Sequence, residues 1–317
     1  MPAKCNNQGR AFEYACLIAL QQKIGVVRSI TVERNSSFDA DKKAWDATTS
    51  TVQTLLALGA DAAAKTVLNA EPLILEESSF PLLLTLQKDS KGEEGDVRDI
   101  LISRTDIQWT IGLSLKHNHF AVKHSRLAKS LDFGQKWYSI PCSSDYWRAV
   151  KPIFDDLDTK KHSGVLWRNI SNKQNTVYVP LLQAFIDEVL RAASNDSAVS
   201  SRMAKYLLGE FDFYKIISID NERLTRIHPV NFNGTLAKPS KTRTSAFAIP
   251  TTALPTRIVC LGFKPNSNTT VELYMDNGWQ FSFRIHSASE IAEPSLKFDI
   301  QPVGLPTTIL TINCQWI

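Results

Sequence analysis

Residues 271–285, VELYMDNGWQFSFRI, constrain the fold more than any other stretch of the chain. Trp279, Phe281, Phe283 and Ile285 alternate strictly with polar residues, which is the period of a strand burying one face. Asp276-Asn277-Gly278 just before them is a turn signal, so the segment predicts a β-hairpin whose other face, carrying Gln280, Ser282 and Arg284, is solvated.

The first half reads differently. Phe12, Ala15, Cys16, Ile18 and Leu20 recur at helical spacing and predict a helix over 9–23, with Asn6 and Asn7 as capping candidates. The polar stretch 35–50 reads as a loop, and a helix through Leu55, Leu56, Leu58, Ala62 and Val67 follows, ended near Pro72. Two apolar runs, Ile100 to Ile102 and Trp109 to Leu115, flank the polar SRTD and predict a second hairpin. The segment after Lys116 reads as a helix through Ser125 to Leu131. Leu181, Leu182, Phe185, Ile186, Val189 and Leu190 mark the strongest amphipathic helix. Trp137, Tyr138 and Trp147 are assigned to the core. Residues 194–201 read as a linker, and a short helix from Met203 to Leu208 precedes a β-rich remainder. The expected division is therefore 1–194 and 195–317.

At 317 residues with 43% apolar content, the chain can bury a sizeable core. No window approaches the run of about 18 to 20 apolar residues that a membrane span needs, and the N-terminus lacks a signal-like apolar stretch. A cytoplasmic location is expected. Cys5, Cys16, Cys142, Cys260 and Cys314 are scattered without metal-binding or redox spacing and read as buried or incidental thiols. The net charge of +4 says less than its distribution: residues 115–136 hold five Lys or Arg against one acid, and three of the six histidines.

That basic window begins at a place where nuclease chemistry fits. Cutting a phosphodiester requires a divalent metal, held by carboxylates, and a cation beside the scissile phosphate. Asp99 stands immediately before one apolar strand, and Lys116 ends the next. Ser114 and Lys116, two apart, share a strand face. The segments GDVRDILI and WTIGLSLKHN thus resemble the signature of the PD-(D/E)xK nuclease superfamily, an Asp followed across a hairpin by acid-x-Lys. NNQGRAFEYACLIAL, GDVRDILI, IGLSLKHNHFAVKHSRLA, DFGQKWY and YLLGEFDFYK together resemble the type II restriction endonucleases that recognise GGCC.

The resemblance implies a fold and an activity: an α/β PD-(D/E)xK core of mixed sheet and helices over 1–194, with a β-rich part over 195–317 that helps clasp and read DNA. It implies Mg²⁺-dependent in-line hydrolysis of double-stranded DNA by water, giving blunt ends with 5′-phosphates and 3′-hydroxyls. One departure stands out, because Ser114 occupies the place of the acid and a hydroxyl is a poor Mg²⁺ ligand. Some superfamily members recruit that acid from an N-terminal helix, which points to Glu13; a solvated acid favouring the helix dipole is the other reading. Asp99 is preferred for the metal, with Asp96 as a supporting or alternative ligand, and Lys116 stabilises charge developing on the phosphate.

Further DNA contacts are expected from His117, Asn118, His119, Lys123, His124 and Arg126 beside the site. Asn231 and Asn233 are candidate base readers. Lys238, Lys241 and Arg243 lie in a Ser- and Thr-rich loop that either orders on DNA or stays a surface loop. A palindromic target favours a homodimer, although a monomer can cut the strands in turn. Two rival readings are a structure-directed repair or junction-resolving nuclease and an inactive DNA-binding module.

Overall fold

The computed structural model describes residues 2–88 and 95–316, with the side chains of residues 2–6 and of His124 outside the described set. The helices are α1 (Pro2–Gly25), α2 (Ser36–Asp46), α3 (Ser50–Ala70), α4 (Pro72–Leu75), α5 (Phe133–Tyr138), α6 (Ser144–His162), α7 (Val179–Asn195) and α8 (Val199–Leu208). The strands are β1 (Ile30–Val32), β2 (Leu82–Leu86), β3 (Ile100–Arg104), β4 (Trp109–His117), β5 (Lys123–Ala128) and β6 (Phe213–Ile219). They continue with β7 (Leu224–Val230), β8 (Ile258–Phe263), β9 (Thr270–Met275), β10 (Gln280–His286), β11 (Ser295–Gly304) and β12 (Ile312–Gln315). The fold is mixed α/β, and among the described residues no helix is long and apolar enough to cross a membrane.

Two compact units divide the chain. The first comprises Met1–Phe120, Gly209–Ala253 and Thr308–Ile317; the second comprises Ala121–Leu208 and Leu254–Thr307. The expected single cut at 194/195 therefore does not describe the chain path. The 194–201 segment is no linker either: α7 runs to Asn195 and α8 starts at Val199.

The first unit is built on the sheet β1-β2-β3-β4-β6-β7-β12. Strand β6 is buried along its whole length and pairs parallel with β4, as apolar strands covered on both faces tend to. Helix α1 buries Phe12, Cys16, Leu20 and Ile24 at a spacing of four, along the stripe that packs beside α2, α3 and β4. It starts earlier than expected, so Asn7 lies inside the helix and does not cap it. The stretch read as a loop at 35–50 holds α2 instead. Asn35 caps it by accepting from the Ser37 and Phe38 N–H groups, and Phe38, Asp41 and Ala44 form its buried stripe. Gly59 lets α3 lie flush on the sheet, since an added Cβ there would come within 2.7 Å of Ser218 Oγ.

The second unit is built on β5-β11-β10-β9-β8. The 271–285 hairpin forms as expected, with Phe281 opposite Leu273 and with Trp279, Phe281, Phe283 and Ile285 buried. Phe283 and Phe298 meet Trp137 and Phe185 in an aromatic cluster. Trp137 and Tyr138 are core residues, while Trp147 is half-buried against Tyr146. Leu190, placed on the buried face of α7 from its spacing, is 40% exposed. The helix expected over 125–131 is strand β5, because Ser125 and Leu127 alternate inward and β11 supplies the ladder from Ser295 to Ile300. Of the described cysteine side chains, Cys16 and Cys142 are buried, Cys260 is exposed and Cys314 intermediate, all free thiols; Cys5 lies outside that set.

Candidate active site

β3 and β4 form the expected hairpin, in register from Ile100 opposite Leu113 to Arg104 opposite Trp109. Asp99 sits just ahead of β3 with its backbone fixed on two sides. Its N–H donates to the Leu113 carbonyl at 2.7 Å, and its carbonyl accepts the Gln87 N–H at 2.9 Å. The carboxylate Oδ2 accepts the Leu115 N–H at 2.5 Å and lies 3.5 Å from Lys116 Nζ. Both side chains stay accessible, at 23% and 30% exposure, so the pair is open to a phosphate from solvent.

Glu13 comes from α1, which packs on β4, and is half-buried. Burial pushes the thiol of Cys16, one turn further along the helix, well up, and the negative charges of Glu13 and then Asp99 push the same way. Phe12, beside Glu13, sets its ring 6.2 Å from that of His117 at the end of β4.

Asp96 is placed otherwise. Its Oδ1 accepts from the Arg98 N–H and Nε, and its Oδ2 accepts from Arg98 Nη2 and Gln87 Nε2, all between 2.7 and 3.2 Å. Burial alone pushes this carboxyl up, but Arg98 and then Gln87 pull it below the usual carboxylate range. Arg98 lies across Gly112 of β4, where an added Cβ would come within 2.1 Å of Arg98 Cδ, and over the ring of Phe211 at 4.0 Å. Among the described residues there is no group of three or more His, Cys, Asp or Glu able to hold a metal ion, so Asp96, expected as a supporting or alternative ligand, does not gather with Asp99 and Glu13 into one. The Arg98 clamp accounts for it.

Ser114 is buried at 4% exposure. It faces, across the parallel register of β4 and β6, a residue that the sequence reading passed over: Lys215. That lysine is also buried and donates Nζ to the Phe120 carbonyl at 2.8 Å. Burial, and after it the charge of Lys116, bring its ammonium down to about 7. A single lysine in the apolar run FYKIISI was the available signal.

The basic run is used largely within the fold. His117 Nε2 lies 2.8 Å from Asp220 Oδ2, and Asn118, at φ 53°, donates to the same oxygen and accepts the Asp220 N–H. His119 is exposed beside them. Lys123 and Arg126 belong to the second unit, where Lys123 caps the Tyr206 ring and carbonyl and Arg126 reaches Ser295 and Glu293. The side chain of His124 lies outside the described set.

Asn231 and Asn233 hold their own loop. Asn231 is buried, with its N–H on Thr252 and its amide on the Ile249 and Leu236 backbone. Asn233 donates to Asp212 and to the Glu210 carbonyl. Lys238, Lys241 and Arg243 are exposed on a turn closed by the Ser240 N–H on the Arg243 carbonyl.

The chain matches the HaeIII restriction endonuclease family over residues 9–306. It is 48% identical to the "Type II restriction enzyme HaeIII" of Haemophilus aegyptius over 317 residues, covering 100% of this chain and 99% of that one. No solved structure matches it. A family match across nearly the whole length, on a chain whose paired Asp and Lys sit at the end of a β-hairpin, leads to one conclusion: the chain belongs to the HaeIII restriction endonuclease family and is a site-specific deoxyribonuclease.

Proposed function

We propose that this restriction endonuclease hydrolyses double-stranded DNA within GGCC, with Mg²⁺, to blunt ends carrying 5′-phosphates, from a PD-(D/E)xK-type centre in its first unit. The Asp99–Lys116 pair carries the reading. Asp99 and Glu13 are the metal ligands. Two hard carboxylates suit Mg²⁺, which keeps several waters and takes further oxygens from a phosphate. A metal held by these two carboxylates would supply a lowered pKa for the attacking water and offset charge on the scissile phosphate. Lys116, held at Asp99, places its ammonium against the oxygens on which charge develops. The Leu115 N–H fixes the Asp99 carboxylate so that one oxygen stays oriented by the strand. Asp96 orients Arg98 and stands outside the ligand set.

Lys238, Lys241 and Arg243 are the backbone-gripping residues, with His119 beside the site; their exposure, the three on one turn, supports this. GGCC reads alike on both strands, so a two-fold homodimer in the cytoplasm is the working assembly. The test is incubation with unmethylated plasmid, with Mg²⁺ and with EDTA, followed by sequencing of fragment ends. Metal-dependent fragments ending at GG and CC are expected, lost in Asp99→Ala and Lys116→Ala proteins that still fold. Random ends would favour a structure-directed nuclease, and uncut plasmid a binding module.

A further inference from the structure

Two polar residues follow Lys116 at the end of β4, and both are engaged by one acid, Asp220, in the turn after β6. β4 and β6 run parallel, so their ends lie side by side, with Lys116 opposite Ile217 and His117 opposite Ser218. The Asn118 N–H extends that ladder by one bond, to the Ser218 carbonyl at 2.8 Å. Beyond it side chains take over. Asn118 Oδ1 accepts the Asp220 N–H at 2.9 Å, Asn118 Nδ2 donates to Asp220 Oδ2 at 3.1 Å, and His117 Nε2 lies 2.8 Å from that same oxygen. Asn118 makes these bonds at φ 53°, in the left-handed region that asparagine tolerates. The His117 ring is only 5% exposed and meets that of Phe12 at 6.2 Å, and Phe12 precedes Glu13 on α1.

We propose that Asp220 is a positioning residue of the cleavage centre: by holding His117 and Asn118 it fixes the end of β4 that carries Lys116 against the turn of α1 that carries Glu13. The inference rests on the reading that Asp99, Glu13 and Lys116 form that centre. The end of a strand is where a ladder opens first, and Lys116 stands two residues from this one. Its ammonium must meet Asp99, 3.5 Å away, and a misplacement of about 1 Å can cost on the order of 100-fold in rate. A second observation separates Asp220 from an acid placed for stability. Its Oδ1 is shut from water with no hydrogen-bond partner among the described residues, which costs the folded chain. The same clasp explains why His117 and Asn118 are not turned towards DNA.

The test compares Asp220→Ala, which removes the hold, with Asp220→Asn, which keeps an acceptor for His117 and Asn118. Asn118→Gly joins them, because it keeps the left-handed turn and loses both side-chain bonds. Single-turnover cleavage of a GGCC duplex with Mg²⁺, duplex affinity with Ca²⁺ in its place, and melting temperature are measured for each. Asp220→Ala and Asn118→Gly are expected to bind within about threefold of the parent and to cleave at least about tenfold more slowly, with Asp220→Asn restoring cleavage to within about threefold. Combining Asp220→Ala with Asn118→Gly should slow cleavage little beyond the slower single variant, since both break one clasp. Parent-like cleavage by Asp220→Ala or Asn118→Gly would overturn the proposal. So would a loss of cleavage matched by an equal loss of affinity, which marks a structural clasp, or an Asp220→Asn chain as slow as Asp220→Ala, which marks the charge and not the hold. Where Asp220→Ala does not fold, Asn118→Gly decides alone. Asp99→Ala and Lys116→Ala are run beside them. If those two cleave normally the site reading fails, whereas if they are inactive and Asn118→Gly cleaves like the parent, only the role of Asp220 fails.

Discussion

A carboxylate with two fixed protein donors on each oxygen is a poor metal ligand. Asp96 accepts two donors on each oxygen, three of the four from Arg98, and is mostly buried with it. Glu13 stands half-buried on α1, with its charge felt at Cys16 together with that of Asp99. The two acids should therefore fail in different ways. Glu13→Gln keeps shape and removes charge, so cleavage should fall about 100-fold or more while the melting temperature stays put. Asp96→Asn should cost about 1–3 kcal/mol of stability by leaving Arg98 short of its partner, with a smaller loss of cleavage. Titrating Mn²⁺ onto both variants by calorimetry separates them further, because only Glu13→Gln should weaken metal binding. Equal metal affinity in the two would remove Glu13 from the ligand set. The places of Asp99 ahead of β3 and of Lys116 near the end of β4 were legible in the sequence as a strand boundary and a strand end, whereas Glu13 was singled out by the family resemblance. Lys215 was not legible, since its neighbourhood exists only once β6 pairs with β4. Asn231 and Asn233 were singled out as base readers, and His117 and Asn118 as DNA contacts, by residue type and position alone. Their partners, Thr252, Asp212 and Asp220, are distant in the chain or across a turn.

At the scale of elements, the approach of Arg98 to Gly112 fixes how β3 meets β4. A methyl at 112 would fall 2.1 Å from Arg98 Cδ, 2.4 Å from Cγ and 2.7 Å from Cβ, so the whole side chain must leave, not its tip alone. Gly112→Ala should then cost about 1–3 kcal/mol and slow cleavage by shifting Asp99, whose N–H bonds to the next residue of β4, Leu113. Arg98→Ala would leave Cβ 2.7 Å away, so it is in an Arg98→Gly background that the added methyl should be nearly neutral. A double-mutant cycle on melting free energies checks this, and simple additivity would mean that Arg98 has room to move aside. Hairpins, α1, α3 and α7 were legible because local periodicity decides them. Strand β5 was not, because its pairing with β11 overrides local propensity from more than 160 residues away. Helix α2 was missed for a local reason: its polar composition concealed a three-residue buried stripe and an Asn cap.

The first unit is assembled from three separate stretches of chain, so its stability depends on links between them. The third stretch is tied by Trp316, whose indole donates to Thr225, itself bonded to the Gly59 carbonyl of α3. The first and second meet at Glu71, fully buried after α3. One of its oxygens accepts from the Tyr214 hydroxyl at 2.5 Å and from the Ala237 N–H at 2.8 Å. Burial raises this carboxyl from 4.5 to about 7, against the pull of those two donors. Between those values the folded chain keeps a proton that the unfolded chain has released, so this group's contribution to stability is present below pH 4.5 and falls as pH rises towards 7. Beyond that it is level, and the swing is about 3 kcal/mol as an upper bound. Glu71→Gln removes the titration while keeping an acceptor for Tyr214 and Ala237. Its amide nitrogen replaces an oxygen that has no hydrogen-bond partner, which adds a pH-independent cost. Urea unfolding at pH 5 and pH 8 should therefore show the variant losing to the parent at the lower pH and gaining on it at the higher. A constant difference at both would mean that Glu71 enters the folded chain already ionised, and that the joint between the first two stretches holds a buried charge instead of a proton.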